Sequence, residues 1–463
     1  MRQATGLLLT LTLLHALRAE AQVQRLSLPR AVERSLGGPG REAGEADAEA
    51  LRAGTDAARW ALAPSLSVSG QLVREAANVA PGASWGNEGI PAISGPPFEY
   101  RFDGGIWITQ VGAGLSYDVL GLIRRVRLLD ASLADEAHAR EARRLGQLDR
   151  AADTAAAFLG LRGAERARAA LADAIARSNE IERTLAEGDE RGRLVMAAER
   201  RALEARVRAA AQVERAARAR LSSMVRLESV TVDPWLATER GGDVEPSASQ
   251  HPAVRAADAG VRASSARAAA SRLELLPRVE LLGALWARGS GLQYPGRTDL
   301  GDATGLAPDR PGWALGLLVT WRLLDVPAVE ARARVADARV RGDRARREAA
   351  LWQLRGQLRE ARLYYRAARE NAAARAEALE AAVGAYERMV ALRQEGTASV
   401  SDVLAMHRAF TEAAVDHALA PVALEQAVLV VARASGDLEP FLEAYRRRGA
   451  QRVSAPPPLP SAP

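Results

Sequence analysis

The sequence predicts a mostly helical chain with a small β part, built as a tandem helix-strand-strand-helix repeat. Three observations carry this: long proline-free stretches rich in Ala, Arg, Glu and Leu, short segments with strict two-residue alternation, and the return of both in the same order in each half of the 463 residues. Aromatic residues make up only 4%, which suits long, thinly packed helices better than a thick globular core.

The first element is "MRQATGLLLTLTLLHALRAEAQ". Arg2, an apolar run from Gly6 to Leu17 and the small residues Ala19 and Ala21 read as a cleaved secretory signal over 1–21, with Gln22 opening the mature chain. The run is shorter than a bilayer-spanning helix needs. No later run is apolar over the roughly 18 residues of a membrane helix, so strands would have to carry any membrane insertion.

The strands come next. After Pro64, Leu66, Val68, Gly70 and Leu72 fall on one face and Ser65, Ser67, Ser69 and Gln71 on the other, the period of a strand with one apolar side. The segment from Pro39 to Gly70 matches that from Pro252 to Gly283: Pro64 aligns with Pro277 and Arg59 with Arg272. A second strand pair begins at Trp107 and Trp313, and a third pair of segments begins at Glu187 and Glu395, where Gly188 aligns with Gly396. The expected organisation is therefore 22–245 as a first repeat, with strands at about 65–74 and 107–119 and a helical hairpin tip at 188. A second repeat covers 246–436, with strands at about 278–288 and 313–323 and a tip at 396, and 437–463 is a proline-rich tail.

Helices from about Leu122 to Glu187 and from Ala328 to Gln394 meet no helix-breaking proline, and each would span roughly 100 Å. Along the second, Leu351, Leu354, Leu358, Ala361, Tyr365, Ala368 and Ala372 alternate three- and four-residue spacings. After one stutter Ala376, Leu379, Val383, Tyr386 and Val390 resume them, the seam of a coiled coil. Gly188 and Gly396 are placed to end the outgoing helices in tight turns.

The apolar faces suggest what the strands touch. Trp313, Leu315, Leu317, Val319 and Trp321 share one face, with the two tryptophans about 26 Å apart along a strand. Trp107, Val111, Ala113, Leu115 and Tyr117 share another. An apolar band of about 25 Å between aromatic residues is what a transmembrane barrel shows to lipid, which makes Trp107, Tyr117, Trp313 and Trp321 girdle candidates and the serine face a wet interior. A small soluble sheet packed on helices has the same alternation. In a membrane, four strands cannot close, because single-chain barrels begin at about eight. Open edges are not tolerated in lipid, so subunits must share one barrel; a dimer would supply eight strands and a trimer twelve, and the strand count does not choose between them.

The motifs reached so far resemble the TolC-like outer membrane efflux protein family over nearly the whole mature chain. "LSLPRAVERSL" from Leu26 is similar to its first helix, Leu62 to Gly70 and Leu276 to Gly283 to its strand entries, and "EGTASVSDVLAMHRAF" from Glu395 to its second periplasmic turn. The resemblance implies a homotrimer whose chains share a twelve-stranded outer membrane β-barrel continuous with a periplasmic α-barrel of coiled-coil hairpins. It further implies a passive duct serving a periplasmic adaptor protein and an inner membrane transporter, in a tripartite efflux or type I secretion system. By the same resemblance, loops at about 76–106 and 289–311 face outside, Gly188 and Gly396 mark the adaptor-docking tip, and the segments at about 222–250 and beyond 436 lie near the equator. Asp402 falls where the family lines its periplasmic constriction; equally, an acid there with Ser399 or Ser401 as cap is an ordinary helix start. The chain departs from some members at Glu187 and Glu395, which replace an apolar residue before the tip glycines, and at Leu194 and Ala405, which stand where acids of a charged gate network can occur.

Other function classes fare worse. The chain has no cysteine, hence no disulfide, thiolate metal site or lipidated cysteine. "GASWG" at 82–86 matches a nucleophile elbow, but Ser84 lies in a turn-rich stretch without the strand and helix that the motif requires. His138, His251, His407 and His417 form no helical metal pair, and without lysine there is no P-loop. No enzyme, cofactor or metal is expected. Although the net charge is +6 and all 63 basic residues are Arg, 57 acids are interspersed among them and no basic block carries aromatics, so no nucleic-acid partner is expected. The alternative is a secreted coiled-coil structural or adhesive protein without channel activity, which leaves the duplicated strand pairs without a purpose.

Overall fold

The structure is a computed structural model that describes residues 24–76, 105–183, 190–234, 236, 248–290, 292–293, 297–298 and 303–453. The signal segment, Ser84, Glu187 and Gly188 lie outside the described residues. In chain order the elements are β1 Gln24–Leu26, α1 Leu28–Leu36, α2 Pro39–Trp60, β2 Ser65–Ala76, β3 Gly105–Asp118, α3 Gly121–Arg183 and α4 Glu190–Val225. Then come β4 Val230–Val232, α5 Pro252–Arg272, β5 Arg278–Ser290, β6 Arg310–Thr320, α6 Val326–Gln394, α7 Val400–Ser435 and α8 Glu439–Val453. A short antiparallel ladder joins Leu292–Gln293 to Arg297–Thr298. The fold is mostly helical with a small strand part.

The chain divides into two compact units. The first comprises Met1–Ala46, Arg140–Ala256 and Glu348–Pro463. In it β1 pairs in parallel with β4, and the ladder is closed over by Leu28 and Val32 of α1, Phe158, Leu159 and Leu161 of α3, Leu221 and Val225 of α4, and Phe441 and Tyr445 of α8. Within 437–463, which the sequence presents as a proline-rich tail, Glu439–Val453 is thus a packed helix: Leu438, Phe441, Leu442 and Tyr445 recur at helical spacing and are all buried. On α6, Leu354, Leu358, Ala361, Ala368 and Tyr386 of the expected seam are buried, but Ala376, at the stutter, is exposed, as expected where a seam drifts off its face.

The expectation that no later segment is membrane-like in composition is corrected by α7, which is long and apolar enough, by length and composition, to cross a bilayer. The acids Asp416 and Glu425 interrupt the strictly apolar runs without bringing the mean hydropathy of an 18-residue stretch of the helix below a membrane-like value. Part of its apolar surface has a protein partner, since Val422 and Leu429 enter the first core and Val403, Leu404 and Phe410 a second one.

The second unit comprises Asp47–Ala139 and Ala257–Arg347. Its strands form one four-stranded antiparallel sheet in the order β2-β3-β5-β6. Helices in this unit are tied by ion pairs rather than by large apolar residues: Arg267 with Asp135, Arg272 with Asp337 at 2.7 Å, Arg347 with Asp258 at 2.7 Å and Arg332 with Glu274 at 3.1 Å. Arg272, one of the repeat-defining positions, therefore acts as a cross-link from the end of α5 to α6.

Candidate functional site: an open sheet and a glycine-ended helix turn

The register of the sheet sorts its residues onto two chemically distinct faces. Leu66 stands opposite Leu115, Val68 opposite Ala113, Ala113 opposite Leu285, and Leu285 opposite Trp313, so these share a face with Leu72, Val111, Leu281, Leu315 and Leu317. That face is apolar and bare, with Val68 82%, Leu315 71% and Trp313 75% exposed. A contiguous exposed apolar surface of this kind marks a membrane or partner contact, not a soluble surface. The other face carries Ser65, Ser67, Ser69, Gly112, Gly114 and Ser116, and the Ser65 and Ser116 hydroxyls are 2.6 Å apart. Small and hydroxylated side chains there leave room for water.

Both edges of the sheet, β2 and β6, have a row of backbone donors and acceptors with no neighbouring strand among the described residues. Of the four girdle candidates, Trp107 packs against the Arg74 guanidinium at 5.4 Å and Tyr117 against that of Arg125 at 6.0 Å. Trp313 lies within β6, but Trp321 lies just past it: β6 runs from Arg310 to Thr320 rather than over 313–323, and Leu323–Asp325 is already a 3-10 turn. The chain leaves the sheet at Arg322, whose φ of −94° and ψ of 82° turn it towards α6. Trp321 is nevertheless 59% exposed.

The turn between α6 and α7 is built by Gly396. Its φ is +78°, the Thr397 N–H donates to the Leu392 carbonyl at 2.9 Å and the Gly396 N–H to that of Arg393 at 3.0 Å, the paired bonds of a Schellman motif. The turn is followed at once by a capping box: the Asp402 N–H donates to Ser399 Oγ at 3.2 Å, and the Ser399 N–H donates to the Asp402 carboxylate at 3.0 Å. The Ser399 hydroxyl also donates to Asp402 at 2.6 Å. Of the two serines considered as cap, Ser399 fills the role. Its hydrogen bonds hold the Asp402 carboxyl below the usual carboxylate range. Asp402, Glu395, Ala405 and Leu194 are all solvent-exposed.

Behind this turn, α3, α4, α6 and α7 share a core that sequence spacing did not reveal. His407 is fully buried, its Nε2 is 3.1 Å from the Ala174 carbonyl, and Tyr386 and Phe410 stack against it and each other. Burial pushes the His407 imidazole below its usual value, so it is neutral and donates from Nε2. Arg408 clamps the Glu199 carboxylate of α4 through Nε at 2.8 Å and Nη2 at 2.5 Å. The turn therefore stands on a rigid four-helix base.

Gly396→Val is expected to weaken this turn without touching its neighbours. A Cβ at this position would meet no atom within 4 Å, so the cost, about 1–2 kcal/mol, comes wholly from forcing a β-branched residue to positive φ. Amide exchange over residues 392–402 should rise while that of the sheet stays unchanged; equal protection in both proteins would place no strain at this glycine.

Among the described residues, no group of His, Cys, Asp or Glu is arranged to hold a metal. Residues 245–437 match the family model of the outer membrane efflux proteins. This segment is similar to the outer membrane efflux proteins. It covers the stretch that the sequence presents as a second repeat, and solved structures share the fold over most of the chain. The outer-membrane channel OprN is 22% identical with a TM-score of 0.70, covering 88% of this chain and 89% of that one. The CmeC outer membrane channel of Campylobacter jejuni is 15% identical with a TM-score of 0.70, covering 92% and 89%. VceC, an outer membrane protein of Vibrio cholerae, is 16% identical with a TM-score of 0.72, covering 89% and 96%. No curated protein matches the chain by sequence. Each half of the chain carries a strand pair followed by a long helix, β2 and β3 before α3 and β5 and β6 before α6.

Proposed function

We propose that this protein is the outer membrane channel of a tripartite export system, a homotrimer in which three four-stranded sheets close a twelve-stranded barrel that continues into periplasmic helices. The observation that carries the reading is the sheet itself: an apolar exposed face together with two unpaired edges is unstable in water and in lipid alike. Joining β2 of one copy to β6 of the next removes both edges at once. The pore is passive, and a periplasmic adaptor and an inner membrane transporter supply energy and choose the cargo. The turn at Gly396, with its counterpart at Gly188, is the adaptor-docking tip, and Asp402 lines the constriction there.

The test is detergent extraction from outer membranes, measurement of the oligomer mass and recording in planar bilayers. Trimers with stable conductance are expected; a water-soluble monomer would overturn the assignment in favour of a secreted structural protein. Asp402 is probed with two variants. Asp402→Ala removes both the carboxylate and the cap, whereas Ser399→Ala removes the cap and keeps the charge. Cation preference and block by multivalent cations should fall in the first and persist in the second; equal effects would leave Asp402 as a helix-start acid. The cap has a defined pH window: because the folded carboxyl is depressed, its contribution is complete above the unfolded value of about 3.9 and is lost as pH falls through the lower folded value.

A further inference from the structure

The core behind the Gly396 turn is built around a group that can take up a proton. His407 of α7 is fully buried, and its Nε2 reaches across to the Ala174 carbonyl of α3 at 3.1 Å, while its Nδ1 has no hydrogen-bond partner among the described residues. Tyr386 of α6 and Phe410 lie against the ring, at 5.8 and 6.4 Å between centroids. Both belong to the apolar core that also holds Ile181, Met196, Val403 and Leu404. Such a site suits the neutral imidazole. A second proton would sit on Nδ1 as a buried charged donor without an acceptor.

The charged groups of the four surrounding helices do not offset that cost. α3 presents Arg177, whose guanidinium lies over the Phe410 ring at 4.8 Å, and α7 presents Arg408; both are cations and oppose an imidazolium. α4 presents the acid Glu199, which is already clamped by Nε and Nη2 of Arg408. α6 presents Tyr386, whose phenol is kept neutral by burial, with Arg177 and Glu180 of α3 acting on it. Burial, with the two arginines behind it, outweighs the Ala174 bond and Glu199 and depresses the proton affinity of the ring.

We propose that His407 is an acid-released latch: neutral, it holds α3 to α7 through the Ala174 carbonyl, and protonated, it lets the two helices part behind the Gly396 turn. The latch depends on the helical core alone and not on the channel reading. Above the unfolded value of about 6.5 both forms are neutral and the latch is closed. Below it the open form binds a proton that the closed form refuses. Closure therefore weakens as pH falls, by up to about tenfold per pH unit, until the lower folded value is reached. Glu425 of the same helix, buried against Tyr445 of α8, has the opposite sign, since acid leaves it neutral in both states.

The experiment is amide exchange of the full-length protein at pH 7.5 and 5.5, corrected for intrinsic rates. Wild type is set against His407→Gln, which keeps a donor for Ala174 and cannot titrate. In wild type, exchange over residues 170–181 and 400–411 should rise about tenfold on acidification, while that over Glu439–Val453 does not rise. In the glutamine variant the first two segments should lose their response to pH. His407→Leu gives a second chain without a titrating group, less protected at both pH values but equally indifferent to the change. The Asp402 carboxyl, held below the usual carboxylate range, stays ionised throughout this window. His251, also buried, lies beside Gly436 at the other end of α7 and is intact in both variants. Wild-type exchange over 170–181 and 400–411 that is equal at the two pH values, or a rise that either variant keeps in full, would overturn the latch.

Discussion

If the proposed trimeric channel holds, Leu317→Arg is expected to abolish outer membrane insertion, while Leu318→Arg, one residue further along the same strand, leaves the assembled protein in the membrane. Both leucines are in β6, 66% and 46% exposed, and differ only in the face they occupy: Leu317 stands opposite Leu281 on the apolar side, Leu318 opposite Glu280 on the polar side. An arginine facing lipid near the bilayer midplane costs about 2–4 kcal/mol, and a trimer would meet that cost in each copy. The same side chain facing a wet interior is solvated and has Glu280 across the ladder. Outer membrane fractionation followed by oligomer mass in detergent reads the result. Equal insertion of both variants would remove the distinction between a lipid face and a lumen face, and equal loss of both would identify β6 as intolerant of any arginine.

Glu425→Gln is expected to stabilise the helical unit, and to do so far more at pH 8 than at pH 5. Glu425 is 2% exposed on α7, accepts one hydrogen bond from the Tyr445 hydroxyl of α8 at 3.2 Å, and leaves Oε1 without a partner. Burial pushes its carboxyl up to about 8, against which the Tyr445 bond and the Arg448 charge act only weakly. The sign follows from which state holds the proton. Below about pH 4.5 both folded and unfolded chains are protonated and Glu425 has no effect. Between there and pH 8 the unfolded chain ionises while the folded one does not, so folding stability falls as pH rises, and the loss saturates above pH 8 at on the order of 5 kcal/mol. Glutamine keeps an acceptor for Tyr445 and has no charge to bury. Amide exchange over Glu439–Val453, compared at the two pH values after correction for intrinsic rates, should show the variant better protected at pH 8 and similar to wild type at pH 5. A difference that does not change with pH would mean that Glu425 is not buried as an acid.

The sequence by itself determined everything that local patterning can encode. Two-residue alternation located β2 within its first residues, the absence of proline from 122 to 187 and from 328 to 394 foretold α3 and α6, and the recurrence of Arg59 as Arg272 placed the strand pairs in tandem. Gly396 was legible because a positive φ at the end of a helix nearly demands glycine. The same patterns stopped short wherever a partner far along the chain makes the decision. Only the tertiary structure put the two strand pairs side by side with β3 next to β5, and hence aligned Gln110 with Arg288 across 178 positions. It paired three-residue β1 with β4, segments too short to announce themselves, and it drew α8 out of an apparent tail by giving Phe441 and Tyr445 a core to enter. It ended β6 before Trp321, because a strand stops where its neighbour stops, and β5 begins at Arg278 opposite Thr320. Glu425 and His407 read as ordinary helix residues in sequence; their altered proton affinities come from desolvation, which depends on what other helices place around them.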